Sequence, residues 1–304
     1  MKAIGIILAG GNNNRMKELT AKRAVPALPV AGSFRSIDFA LSSMSNSHIQ
    51  TVAVLTQYNA RSLNEHLSSS KWWNFGRKQG GLFLFTPTVT ADNSDWYRGT
   101  ADAMYQNIDF LKRRHEPYVI ISSGDCVYKL DFNRVLDFHI EKKSDITVVC
   151  KDMMYNDDVS RFGVVRMDDE SRITEFDEKP IEALSNTIST GIYVIRRRQL
   201  IELLEAAAEE NRFDFVNDIL VRYKNVKKIY GYKINSYWNN IADIDAYFKT
   251  NMDFLRPDVR SYFFREEPTI CSKVDDLPPA KFNPGSDISV SYTHLRAHET
   301  AANL

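Results

Sequence analysis

An α/β fold, built on a mostly parallel sheet with helices on both faces, is predicted by three observations. Short apolar runs alternate along the chain with amphipathic segments. A length of 304 residues, 43% of them hydrophobic, is enough to bury one large core and to carry a small appendage. Loops at Gly10-Gly11 and Ser123-Gly124-Asp125 follow directly on apolar runs, and sheets of this kind bind ligands outside the carboxyl ends of their strands. Both loops are therefore expected to face one crevice.

The first element is the apolar run Ala3-Ile4-Gly5-Ile6-Ile7-Leu8, read as a buried strand. It leads into Ala9-Gly10-Gly11-Asn12-Asn13-Asn14-Arg15, where glycines let the backbone approach a ligand and a nearby arginine can hold phosphate oxygens. The loop lacks the Walker and dinucleotide patterns, and a plain strand-to-helix turn also fits it. Residues 51-55, 118-123 and 146-150 read as strands, and 101-113 and 132-143 as helices. Segments 162-167, 172-178, 189-195 and 227-233 are shorter and more alternating, as suits a region closing over a ligand. Glu202 to Glu210 reads as a helix with a solvated acidic face.

Single residues admit two readings. Asp125, just beyond a strand, suits either a turn or a Mg²⁺ ligand, since that hard ion takes carboxylate and phosphate oxygens. Lys179 before Pro180 is either a solvated charge or a cation on a stiffened segment, placed to pair with a phosphate. Lys22, Arg23 and Arg35 form a modest basic cluster, suited equally to solvent or to an anion. Lys71-Trp72-Trp73-Asn74-Phe75-Gly76-Arg77-Lys78 interleaves bases with aromatics and reads as a loop packed at an interface.

Composition narrows the function classes. Thirty-nine basic and thirty-nine acidic residues cancel, so no global field favours nucleic acid or an anionic membrane. The amino end has no signal-peptide pattern and no run approaches membrane-spanning length, so a cytoplasmic location is expected. Cys126, Cys150 and Cys271 have no CxxC spacing and read as reduced packing residues, and the six histidines lack metal-ligand spacing.

Several motifs in series carry a specific resemblance. They are Arg23-Ala24-Val25-Pro26, Phe34-Arg35-Ser36-Ile37-Asp38, Thr56-Gln57-Tyr58, Trp96-Tyr97-Arg98-Gly99-Thr100-Ala101-Asp102, Ser123-Gly124-Asp125, Phe176-Asp177-Glu178-Lys179-Pro180 and Ser189-Thr190-Gly191. In this order, from about Ile4 to Leu255, the chain resembles the glucose-1-phosphate adenylyltransferases. The resemblance implies a Rossmann-like, GT-A-like nucleotidyltransferase with a mixed sheet over 1-255. It also implies ATP binding by Gly10, Gly11, Arg15, Gln57, Gly99 and Thr100. Glucose 1-phosphate would fall to Tyr97, Gly163, Glu178, Lys179 and Ser189, and anionic effectors to Lys22, Arg23 and Arg35. Arg15 and Asp125 are the implied catalytic residues, with Mg²⁺ on Asp125.

The same comparison exposes departures. Val25 stands where the catalytic pattern has lysine, and Asn240, in Tyr237-Trp238-Asn239-Asn240, where it has the second metal-binding aspartate. Asn13 replaces a loop glycine. Valine supplies no charge, and an amide offers one neutral acceptor in place of an anion. Loss of one preorganised electrostatic contact costs roughly 2.7–4 kcal/mol, on the order of a hundred- to a thousandfold in rate. Mg²⁺ binding is therefore expected to be weak or absent.

The expected role is a noncatalytic or weakly catalytic regulatory subunit similar to the GlgD type of bacterial glycogen synthesis, partnered with a catalytic sister subunit in a hetero-oligomer, a heterotetramer at full length. An active adenylyltransferase and a nucleotide-sugar sensor outside the pathway are the alternatives. Prolines 257, 268, 278 and 279 suggest a linker over 256-280. Residues 281-290 resemble the start of a left-handed β-helix that the following residues do not continue, and 291-304 reads as a non-native tail.

Overall fold

The structure is a computed structural model that describes residues 2–11, 14–76, 80–88, 96–154 and 158–274. Asn13, Lys78 and the segments 281-290 and 291-304 lie outside the described residues. The chain runs β1 (Ala3–Ala9), β2 (Pro29–Val30), β3 (Phe34–Arg35), α1 (Ser36–Asn46), β4 (Thr51–Thr56), α2 (Arg61–His66), β5 (Gly81–Phe85), α3 (Thr100–Gln106), α4 (Ile108–Lys112), β6 (Tyr118–Ser123) and β7 (Cys126–Tyr128). There follow α5 (Phe132–Glu141), β8 (Ile146–Asp152), β9 (Gly163–Met167), β10 (Ile173–Glu178), β11 (Thr187–Arg196), α6 (Arg197–Glu209), β12 (Ile229–Lys233), β13 (Trp238–Asn240), α7 (Ile244–Asp253) and α8 (Pro257–Phe264).

Nine strands make one mixed sheet. β5, β4, β1 and β6 are parallel neighbours, β11 joins β6 antiparallel, and β8, β9, β10 and β12 continue beyond it. The four short segments foreseen around a ligand are thus strands of this same sheet. Successive side chains of β1 go to opposite faces, as a strand's period of two requires. Ala3, Ile7 and Ala9 enter a core shared with α1 and α5, while Ile4 and Ile6 enter another shared with α3 and α6.

Three expectations are corrected. The helix read over 101-113 is two helices, because Asn107 turns its side-chain amide back to the Ala103 carbonyl (2.9 Å) and to the Tyr97 hydroxyl (2.9 Å). The linker expected from 256 is, through Lys273, part of the compact unit. α8 buries Val259 and Phe263 against Phe39 and Phe254, and apolar burial outweighs the proline signal there. The aromatic loop turns inward: Trp73 is buried edge-on to His66 and donates its indole N–H to the Cys271 carbonyl (3.2 Å). Cys271 is exposed and contributes its backbone, whereas Cys126 and Cys150 are buried packing residues.

Asp38, fully buried in the first turn of α1, joins these parts. One carboxylate oxygen accepts from the Arg35 N–H (2.8 Å) and the Ser272 hydroxyl (2.6 Å), and the other lies 2.7 Å from His66 Nε2. A single carboxylate thereby fixes the start of α1, the end of α2 and the segment after α8.

His139 on α5 is buried, with Nδ1 2.8 Å from the Thr147 hydroxyl and Nε2 unpartnered. Burial, reinforced by the charge of Arg196 and opposed by that of Asp145, lowers its pKa from 6.5 to about 4. Between these values the unfolded chain binds a proton that the folded chain refuses, so this stability is fully present above pH 6.5 and is lost toward pH 4. Urea midpoints should fall over that window with a contribution approaching about 1.4 kcal/mol per pH unit. His139→Gln should remove that contribution, and an unchanged slope in the variant would contradict the assignment.

Candidate active site

The parallel strands end together. Ala9 ends β1 and Gly10 and Gly11 follow it, Gln57 follows β4, and Ser123 and Asp125 flank the end of β6; with Tyr97, Gly99 and Thr100 at the start of α3 they line a cavity of about 440 Å³. Its remaining wall is apolar, from Leu8, Val25, Pro26, Leu55 and Ala103. A mostly apolar hollow with a few converging polar groups is the ordinary build of a small-molecule site.

Each polar group is braced. The Tyr97 N–H donates to Gln57 Oε1 (2.6 Å), and Gln57 Nε2 donates in return to the Tyr97 carbonyl (3.4 Å). Burial raises the pKa of the Tyr97 hydroxyl. The N–H groups of Ala101 and Asp102 converge on the Phe213 carbonyl at 2.8 and 3.2 Å. A Cβ on Gly99 would stand 2.3 Å from that oxygen, so only glycine permits this approach. The Thr100 hydroxyl accepts from the Phe215 N–H (2.9 Å) and is committed to the protein as well as facing the cavity. Asp218 in turn accepts from the N–H groups of Phe213 (3.0 Å) and Asp214 (2.9 Å), and the Arg98 guanidinium stacks on the Phe213 ring at 3.8 Å.

The Phe213–Asp218 clamp was missed in the sequence. Its legible signal is Asp214 three residues before Asn217, whose N–H it receives at 2.7 Å in the manner of a helix cap. Gly11 contrasts with Gly99: among the described residues nothing beyond its chain neighbours lies within 4 Å of a Cβ placed there, and Gly11 lines the cavity. Packing among the described residues does not demand that glycine.

Val25 lines the rim of the cavity but is only 4% exposed, packed among Met16, Leu28, Val127 and Ile241. Asp125 accepts from the Ser123 hydroxyl, and its carbonyl receives the Ile241 N–H (2.9 Å). β13 pairs with β7, placing Asn240 opposite Cys126. The Asn240 amide oxygen accepts from the Ala242 N–H (2.9 Å), and its Nδ2 donates to Cys126 Sγ (3.4 Å). Among the described residues no group of three or more His, Cys, Asp or Glu side chains is placed to hold a metal, and Asp125 is the one carboxylate on the cavity wall.

Arg15 lines a cleft of about 570 Å³ with Asn240, Asp158, Arg161 and Asp243. Arg161 there pairs with Asp243, the cap of α7. The residues expected at a sugar phosphate gather, except Tyr97, along β9, β10 and β11. Gly163 pairs across from Glu178, whose carboxyl is raised in pKa by burial although Lys179 Nζ stands 3.2 Å away. The Lys179 backbone adopts a left-handed φ of 52°, and its N–H donates to the Phe162 carbonyl (3.0 Å). Ser189 donates to the Tyr193 hydroxyl (3.2 Å). Lys22 and Arg23 are exposed, whereas Arg35 donates to the Ser62 carbonyl and hydroxyl, both at 3.0 Å, and braces the start of α1.

A mixed sheet whose parallel strands end at a glycine-lined cavity is the architecture of a nucleotidyl transferase, and the family model described as Nucleotidyl transferase matches residues 4–256. A glucose-1-phosphate adenylyltransferase of Clostridium novyi (strain NT) is 37% identical over 291 residues, 95% of this chain and 76% of the relative. One from Clostridium acetobutylicum is 38% identical over 291 residues with the same coverage, and one from Thermotoga maritima 36% over 292 residues, 95% of this chain and 69% of the relative. The chain belongs to the glucose-1-phosphate adenylyltransferase family.

The two glycines should separate in mutagenesis. Gly11→Ala should leave the urea midpoint unchanged within about 0.5 kcal/mol yet weaken ATP binding in calorimetric titration. Gly99→Ala should cost about 2 kcal/mol of stability, because backbone must move, and should impair binding as well. Equal effects of the two on stability would refute the distinction.

Proposed function

We propose that this chain is a noncatalytic or weakly catalytic regulatory subunit of glucose-1-phosphate adenylyltransferase, of the GlgD type, acting on a catalytic sister subunit in a hetero-oligomer of glycogen synthesis. The carrying observation is Val25: an apolar side chain held in the core at the rim of a cavity otherwise fitted for a nucleotide. In the reaction of ATP with glucose 1-phosphate, a sugar-phosphate oxygen attacks the α-phosphorus and pyrophosphate leaves. Fixed cations meeting the developing charge supply much of the acceleration. Here the rim offers methyl groups. Asn240, with its amide oxygen engaged by Ala242, adds no anion beside Asp125. Mg²⁺ entering with the phosphates would find Asp125 as its one carboxylate on the cavity wall, and the ion's own role is to neutralise phosphate charge.

The convergence of Gly10, Gly11, Gln57, Gly99 and Asp125 supports retained nucleotide binding and is the observation favouring the second reading, an active adenylyltransferase. Binding without turnover can still act on a partner, provided the partner discriminates between the bound and empty states.

ADP-glucose formation decides between the readings. The chain alone should turn over on the order of a hundred- to a thousandfold more slowly than a catalytic relative, and should raise the rate of a catalytic sister when mixed with it. Val25→Lys combined with Asn240→Asp should raise the intrinsic rate. Brisk turnover by the unaltered chain, abolished by Asp125→Ala, would overturn the regulatory reading in favour of the enzyme.

A further inference from the structure

The strands that deliver Gly10, Gln57 and Asp125 at their carboxyl ends open on a second cavity at their amino ends. It measures about 400 Å³ and is lined by Lys2, His48, Arg113, Arg114, His115 and Glu116, among others. Ala3 and Thr51, at the amino ends of β1 and β4, form its floor, while Ala9 and Leu55 line the first cavity. At about 3.3 Å per residue, the length of β1 separates the two by about 20 Å.

We propose that this cavity is an anion site for a small phosphate-bearing ligand, separate from the nucleotide cavity. The inference goes beyond the regulatory reading and stands without it. The chain as a whole is neutral, with thirty-nine charges of each sign, so cations gathered on one hollow are a local arrangement. They come from two segments, Lys2 from before β1 and Arg113 and Arg114 from between α4 and β6, and His48 from after α1 lines the same wall. The carboxyl end of α4 accounts for a cation at Arg113. It does not account for Lys2.

Arg114 is the best prepared of these groups. Its guanidinium stands 4.9 Å from the ring centres of both Phe83 and Phe110, within cation–π reach of each. Among the described residues neither Arg114 nor Lys2 has a carboxylate partner, whereas Arg113 reaches Asp109 at 3.7 Å with both side chains largely in solvent. A planar guanidinium stacked on aromatic rings keeps its N–H edge for an oxyanion. The lining carboxylate, Glu116, is held by neutral donors, the Thr51 hydroxyl (3.2 Å) and the His115 N–H (3.1 Å). The volume exceeds what a bare phosphate fills and lies within the range of pockets for metabolites.

The test is titration calorimetry on the full chain with inorganic phosphate, glucose 6-phosphate and, as a neutral control, glucose. Arg114→Gln should weaken phosphate and glucose 6-phosphate binding about tenfold, the share of one charge-assisted contact, and Lys2→Gln should weaken it further. ATP binding should move less than about twofold, because the two cavities share no lining residue. Tighter binding of glucose 6-phosphate than of phosphate identifies a phosphorylated metabolite as the ligand; equal binding identifies inorganic phosphate. Lys2 is exposed, so Lys2→Gln alone carries the test if removing Arg114 from its ring stack unfolds the chain. Phosphate binding that is undetectable, or that is unmoved by either substitution, overturns the proposal.

Discussion

The burial of β1 on both edges and both faces is the constraint on which the rest of the structure depends. It pairs in parallel with β4 through Ile4–Thr51 and with β6 through Ile4–Val119, so three strands advance in step. Its alternate side chains feed two different cores. A slip of one residue would send each set to the wrong face, so register is strongly specified. Because register is fixed, the loops after the three strands arrive at one place, and the candidate site follows from the sheet rather than from the loops themselves.

Parts distant in sequence then complete it. The Phe213 carbonyl takes the first N–H groups of α3, and the close approach at Gly99 leaves no tolerance in that junction. On the other side Asp38 ties α1 to α2 and to Ser272. Neither arrangement is large in area. Both consist of buried polar groups satisfied by specific partners, and a group left unsatisfied in such a place costs more than its bond contributes.

The chemistry of the cavity is uneven in a consistent direction. Gly10, Gly11, Gln57 and Gly99 line the cavity with backbone and a neutral amide, Val25 presents an apolar side chain to it, and Asn240 carries an amide on the strand paired with β7. Recognition and rate acceleration draw on different atoms, so one can weaken while the other remains. Val25 carries this difference most plainly, because its burial among Met16, Leu28 and Val127 makes it a core residue as much as a wall.

The local features were legible. The strands β1, β4 and β6, the paired glycines and Asp125 at a strand end could all be read from the chain, because apolar runs, turn residues and collinear motifs are properties of neighbours in sequence. The break at Asn107, the clamp from Phe213 to Asp218 and the docking of α8 could not. Each depends on contacts between segments far apart in the chain or on where a side chain is aimed, and no local pattern encodes either. Folding decided them by satisfying buried donors and acceptors and by closing aromatic surface over α1, and it also placed a basic hollow beneath the sheet from residues that, along the chain, are scattered charges.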